Sequence, residues 1–198
     1  MSRFILYPLV LLAFDVKAAD FNHDIVNALI HRTTQQVTYD GAYHRLEYPG
    51  GDVPANIGVC TDVIIRSYRQ LGIDLQKLVH EDMQANFHAY PSKRIWGLTK
   101  PDKNIDHRRV PNLQVYFERH AQVLTKSLNA ADYKTGDIVT WMLPGNLPHI
   151  GMVVNQISQD SGHPLIVHNI GRGPEMSDML FAHTITGHYR FVPTAYSE

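Results

Sequence analysis

A change of texture at residue 136 constrains the fold of this chain more than any other feature. Before it, apolar residues recur at helical spacing. After it, "GDIVTWML", "HIGMVVNQI", "PLIVHNI" and "GHYRFV" are short β-rich runs separated by Pro-Gly, Asp-Ser-Gly and Gly-Arg-Gly turn signals. Helices followed by a meander of strands predict an α+β fold, an antiparallel sheet with helices packed on one side. At 198 residues, 44% of them hydrophobic, the chain is long enough for one substantial core. No repeat, low-complexity tract or linker divides residues 19–198, so a single domain is expected there.

In the helical half, Ile25, Val26, Leu29 and Ile30 predict a helix over about 21–36. The Gly-, Pro- and Asp-rich stretch "VTYDGAYHRLEYPGGDVPANIG" reads as loop. "CTDVIIRSYRQLG" places Val63, Ile64, Ser67, Tyr68 and Leu71 on one helical face, with Gly72 as the stop. Asp74 is placed to cap a further helix carrying Leu75, Leu78, Val79 and Met83. Residues 90–110 are irregular and polar, and Pro111 suits the first turn of a helix running to about Leu124.

The first twenty residues, "MSRFILYPLVLLAFDVKAAD", have the layout of a secretory signal. Arg3 gives the positive region, Phe4 to Phe14 the apolar stretch, and Val16-Lys17-Ala18 a small-residue cleavage site. A signal peptide over 1–18 predicts a periplasmic or secreted protein. Pro8 and Asp15 interrupt a stretch already short for a bilayer span, so a cleaved signal with no membrane span after its removal is expected ahead of the alternative, an uncleaved anchor. Removal takes Lys plus Arg from 18 to 16 and Asp plus Glu from 19 to 18, for a net charge of −2. Such balance argues against nucleic acid as a partner.

An exported chain with one cysteine, Cys60, cannot form an internal disulfide. Cys60 is either a small buried hydrophobe or a reactive thiol. Its place in the first turn of a helix, where unpaired amides carry partial positive charge, favours a thiolate nucleophile. Such a nucleophile needs a proton partner. Of the 12 histidines, His149 opens the strand "HIGMVV" and His168 closes "LIVHNI". If those strands pair through the intervening turn, the two imidazoles lie side by side at one sheet edge. The start of the Cys60 helix can pack there, giving a nucleophile, a base and a group that holds the base.

This order, a cysteine at a helix start, a histidine opening a strand and a polar residue on the next, resembles the papain-like cysteine hydrolases, most of all the NlpC-type cell-wall peptidases. Gly136-Asp137 ahead of the histidine strand, and "TYDGAY" and "YPGG" ahead of the cysteine, are similar to that family's pattern. The resemblance covers about residues 37–192. It implies a Cys60-His149-His168 triad that cleaves a peptide amide of peptidoglycan, with Tyr39 near the nucleophile. Two features depart from it. The family's Asp-Cys-Ser-Gly is Val59-Cys60-Thr61-Asp62 here, and an insertion occupies about residues 80–110. Asp62 either bonds an amide of the helix start or, as a nearby carboxylate, raises the thiol pKa. Arg108 and Arg109, at the edge of the insertion, either offer a fork to a substrate carboxylate or make structural ion pairs. Tyr39, Asp62, Arg108 and Arg109 are the expected substrate-binding residues. Asn169 competes with His168 for the supporting role.

No metal or cofactor is expected. "VHEDM" sets its acidic and imidazole groups on different helix faces, and no His-Glu-x-x-His occurs. Cys60, His149 and His168 do meet the ligand count of an open zinc site, so a zinc hydrolase stays in view. The expected activity is an exported cysteine peptidase or amidase. The rivals are a non-catalytic module that binds peptidoglycan or a protein, and a cysteine acyltransferase.

Overall fold

The structure, a computed structural model, describes residues 10–193, with side chains from Phe21 onward. The expected signal peptide lies outside the described residues over 1–9. Helix α1 is Val10–Thr33, ending three residues before the sequence pattern suggests. Phe21, Ile25, Val26 and Leu29 turn its apolar stripe into the core. No helix among the described residues is long and apolar enough to cross a membrane.

The loop after α1 contains two short strands, β1 (Thr38–Tyr39) and β2 (Ile57–Gly58), paired in parallel. They lead into α2 (Cys60–Gln70), every residue of which is buried from Cys60 to Tyr68. A helix buried all round must satisfy its polar groups internally. Arg66 donates to both carboxylate oxygens of Asp52, at 2.9 and 3.2 Å, and Ser67 Oγ donates to the Val63 carbonyl at 2.8 Å. Helix α3 (Leu75–Asn86) starts as expected from Asp74, whose Oδ1 accepts from Gln76 N at 3.0 Å.

The segment expected to be irregular holds a short helix, α4 (Ser92–Trp96), and 3-10 turns at Phe87–Ala89 and Asp106–Arg108. Helix α5 (Val110–His120) carries its proline in the first turn.

Strands β3 (Gln122–Val123), β4 (Ile138–Leu143), β5 (Leu147–Ile157), β6 (Pro164–His168), β7 (Glu175–Ser177) and β8 (Thr184–Arg190) form one antiparallel sheet. Its order is β3-β8-β4-β5-β6-β7. The four predicted strands are all present, but not as a plain meander, because β8 crosses back to pair with β4.

The alternation of the strands divides two cores. Ile138, Ile150, Met152, Val154, Val167 and Tyr189 face the helices. Val139, Trp141, Val153 and Ile166 face the opposite way, under a cover of Tyr133, Met179 and Leu180. The Trp141 indole there donates to the Leu180 carbonyl at 2.9 Å. Gly136-Asp137 proves to be a structural joint. The buried Asp137 carboxylate accepts from Arg190 at 2.7 and 2.9 Å and pairs with His188 at 2.9 Å, locking β4 to β8.

Candidate active site

Cys60 is the first residue of α2, and its amide belongs to the unpaired first turn. The sequence shapes this start through Asp62. Its Oδ2 accepts from Val59 N at 2.7 Å, the helix-start bond that was one of its two expected roles. Gly58 makes room for it, since a Cβ there would lie 3.3 Å from Asp62. The other side of the carboxylate meets Arg108, whose Nε and Nη2 both donate at 2.9 Å. The same guanidinium reaches the carbonyls of Asp40 and Ala42 at 3.3 Å, while Thr61 Oγ1 donates to the Arg108 carbonyl at 3.1 Å. The Arg108 fork, expected to be offered to substrate, is thus occupied inside the protein. Asp62 is likewise buried, not presented to a ligand.

This clamp joins the segment at 40–42 to the helix start. The β1–β2 pairing, extended by Asp40 N donating to the Gly58 carbonyl at 3.2 Å, places Tyr39 beside the thiol. The Tyr39 hydroxyl and the backbone amides of Thr61 and Ile150 lie against Cys60 Sγ and favour its thiolate. Val153 N donates to the Asp137 carbonyl on the β4 side, so alternation turns Ile150 N toward the β6 side. β6 has ended at His168 by that level. The thiol sits where β6 runs out and takes the amide that a longer β6 would have paired.

The two histidines lie side by side as expected. His149 Nε2 is 3.0 Å from His168 Nδ1, and the rings meet edge to face with centroids 5.1 Å apart. Gly151 makes that approach possible: a Cβ there would sit 2.6 Å from Ile166 Cγ2 and 3.1 Å from His168 Cβ. His168 Nε2 then meets Ser177 Oγ at 2.7 Å, a partner with no local sequence signal. His149, His168 and Ser177 form a line across β5, β6 and β7. Asn169 does not compete for this place. Its Oδ1 accepts from the amides of Gly171 and Gly173 at 3.0 and 3.2 Å, shaping the turn after β6.

Burial dominates the electrostatics. It pushes the Cys60 thiol up to about 11, with the Asp62 carboxylate adding to the effect, so the helix start does not yield the expected resting thiolate. Burial holds His149 down to about 3, with His168 and then His183 adding to the effect, and holds His168 down to about 4, with His183 adding to it. At neutral pH the site holds a neutral thiol and two neutral imidazoles. Among the described residues no hydrogen bond joins Cys60 Sγ to His149, and the Nδ1 of His149 makes none.

The thiol opens onto a cavity of about 880 Å³ lined in part by Tyr39, Tyr43, Trp96, Arg109, Met142 and Pro148. The insertion builds one wall and leaves the cavity open. Arg109 lies 3.9 Å above the Trp96 ring and pairs with Asp106 at 3.3 Å, which leaves part of its guanidinium on the cavity. Trp96 was missed in the sequence because a lone aromatic in a polar stretch carries no spacing signal.

Comparison with known proteins gives the chain's relations. It is 50% identical over 173 residues to "Uncharacterized protein YijF" of Escherichia coli (strain K12), covering 87% of this chain and 83% of that one. A solved N-acetylmuramoyl-L-alanine amidase from Bacteroides uniformis is 13% identical and superposes with a TM-score of 0.52, covering 88% of this chain and all of that one, a likeness of fold alone. A second amidase structure from the same organism, 15% identical, covers 86% and 97% with a TM-score of 0.45, too low to carry an argument. Residues 26–191, from within α1 to just past β8, match the family described as Domain of unknown function (DUF1287), and the chain belongs to that family.

Proposed function

We propose that this protein is an exported cysteine hydrolase of papain-like, NlpC-type architecture, periplasmic or secreted, that cleaves a peptide amide of peptidoglycan. The observation that carries the reading is a lone thiol at a helix start, open to a cavity and set against the backbone of Ile150, the residue next to His149 of a buried histidine pair on adjacent strands. The fold likeness to an N-acetylmuramoyl-L-alanine amidase supports the substrate class.

The resting thiol is neutral, so it is deprotonated as it attacks. Cys60 Sγ bonds to the scissile carbonyl carbon while its proton passes to His149 Nδ1. The imidazolium gives that proton to the departing amine as the C–N bond breaks. Water then attacks the thioester, His149 takes its proton, and the C–S bond breaks to restore the thiol. The Cys60 amide and the Tyr39 hydroxyl are the donors to the oxyanion. Burial pushes the Tyr39 phenol up to about 12, so it remains a donor at neutral pH. Arg109, on its Trp96 plate, is the cation for a substrate carboxylate, and Asp62 and Arg108 hold the helix start and the Tyr39 segment together. An amine in place of water in the second step would make the protein an acyltransferase.

The neutral thiol without a bond to His149 also favours a second reading, a non-catalytic module that binds peptidoglycan in the same cavity. The two are separated by incubating wild type, Cys60→Ala and His149→Ala with purified peptidoglycan fragments and following products by mass spectrometry. Cleavage lost in both variants supports the hydrolase. Fragment binding that survives Cys60→Ala, with no cleavage by wild type, leaves the module.

A further inference from the structure

We propose that Ser177, with Glu175 beside it, is a positioning residue that sets the tautomers of both buried histidines and so makes His149 a base. The inference rests on the hydrolase reading for its use, but its geometry stands on its own. His149, His168 and Ser177 are carried on one face of three adjacent strands, β5, β6 and β7. The two gaps between them, 3.0 and 2.7 Å, are both hydrogen-bond lengths.

Each neutral imidazole carries one proton, so the line can be ordered in only two ways. If Ser177 Oγ accepts, His168 is protonated on Nε2 and its Nδ1 accepts from His149 Nε2–H. The lone pair of His149 is then on Nδ1, the nitrogen left free to take the thiol proton. If Ser177 donates, every proton reverses. His149 then carries its proton on Nδ1 and has no lone pair for the thiol. Glu175 decides between them. Its carboxylate lies 4.0 Å from the same His168 Nε2 that faces Ser177 at 2.7 Å. Two oxygens around one ring nitrogen, one of them anionic, favour a proton there. The other neighbours of the pair, Trp141 with its ring centroid 6.0 Å from that of His149 and His183, supply no competing anion. A serine two strands away from His149 thereby fixes which nitrogen His149 presents.

The test is ring nitrogen NMR on the full chain labelled with 15N-histidine, at a pH where both imidazoles are neutral. Wild type should show His149 and His168 both protonated on Nε2. Ser177→Ala, which cuts the short contact through which the Glu175 charge acts on the line, and Glu175→Gln, which removes that charge, should each shift both toward the Nδ1–H form by about tenfold in tautomer ratio. Ser177→Thr, which keeps the hydroxyl, should restore the wild-type pattern. In fragment cleavage, Ser177→Ala should lower kcat with KM unchanged and Ser177→Thr should recover it. Unchanged tautomers in Ser177→Ala overturn the proposal even if Cys60-dependent cleavage is found. Failure of Cys60→Ala to affect any cleavage removes the hydrolase reading and leaves the tautomer result to decide the role of Ser177.

Discussion

Replacing Arg108 by methionine separates the two roles that an arginine in this position can have. The methionine keeps much of the apolar stem but deletes two charge-assisted bonds of 2.9 Å to Asp62 and two weaker ones to the Asp40 and Ala42 carbonyls. The Asp62 carboxylate, only 3% exposed, is left with the Val59 amide as its one remaining donor. Breaking a buried ion pair from one side costs about 3–5 kcal/mol, because the surviving charge is stranded. For a chain of this size each kcal/mol lowers Tm by about 2–4 °C, so Arg108→Met should melt roughly 6–20 °C below wild type. Circular dichroism at 222 nm reads this directly. The double variant Arg108→Met/Asp62→Leu should recover part of the loss, since no charge is then stranded. An unchanged Tm in the single variant, with a raised KM for peptidoglycan fragments, would refute the clamp and return Arg108 to substrate binding.

Other consequences can be measured on the same protein. With its pKa raised from 9.0 to about 11, Cys60 should react with iodoacetamide about 100-fold more slowly at pH 7 than a free thiol, and the rate should still be rising at pH 10; a plateau below pH 8 would show that the helix amides outweigh burial. His149 is held from 6.5 down to about 3, so the unfolded chain binds a proton there that the folded chain refuses; stability is flat above pH 6.5 and falls as pH drops toward 3. His149→Gln should lessen that fall between pH 6.5 and 4, and identical slopes in urea titrations of both proteins would contradict the burial. Gly151→Ala should cost about 1–3 kcal/mol by overpacking against Ile166 and His168, and should lower the cleavage rate more than a distant mutation of equal Tm.

Much of this fold was legible from local rules. Asp74 before an apolar stripe, Pro111 in a first turn, and short β-rich runs between glycine turns fixed the helices and four main strands, since each signal acts within a few residues. The pairing of β5 with β6 through a tight turn brought His149 beside His168 for the same reason. The return of β8 to β4 was not legible. It rests on Asp137 meeting His188 and Arg190 more than fifty residues later, and long-range pairing leaves no local trace.

The site divides along the same line. Residue type and position picked out Cys60 at a helix start and the two histidines, because chemistry of this kind needs a nucleophile and a base in a restricted order, and the family resemblance added Tyr39. Ionisation was beyond the sequence. Whether a thiol at a helix start is ionised depends on a balance between a few amide dipoles and the loss of water, and the surrounding core that removes the water is assembled from the whole chain. The partners of the charged groups were equally hidden. Arg108 and Arg109 are neighbours of one residue type, yet one turns inward to a carboxylate 46 positions earlier and the other lies on a tryptophan at the cavity wall. Sequence determined which groups are present and on which element each stands. Tertiary packing decided which are buried, which are paired, and which are left facing the cavity.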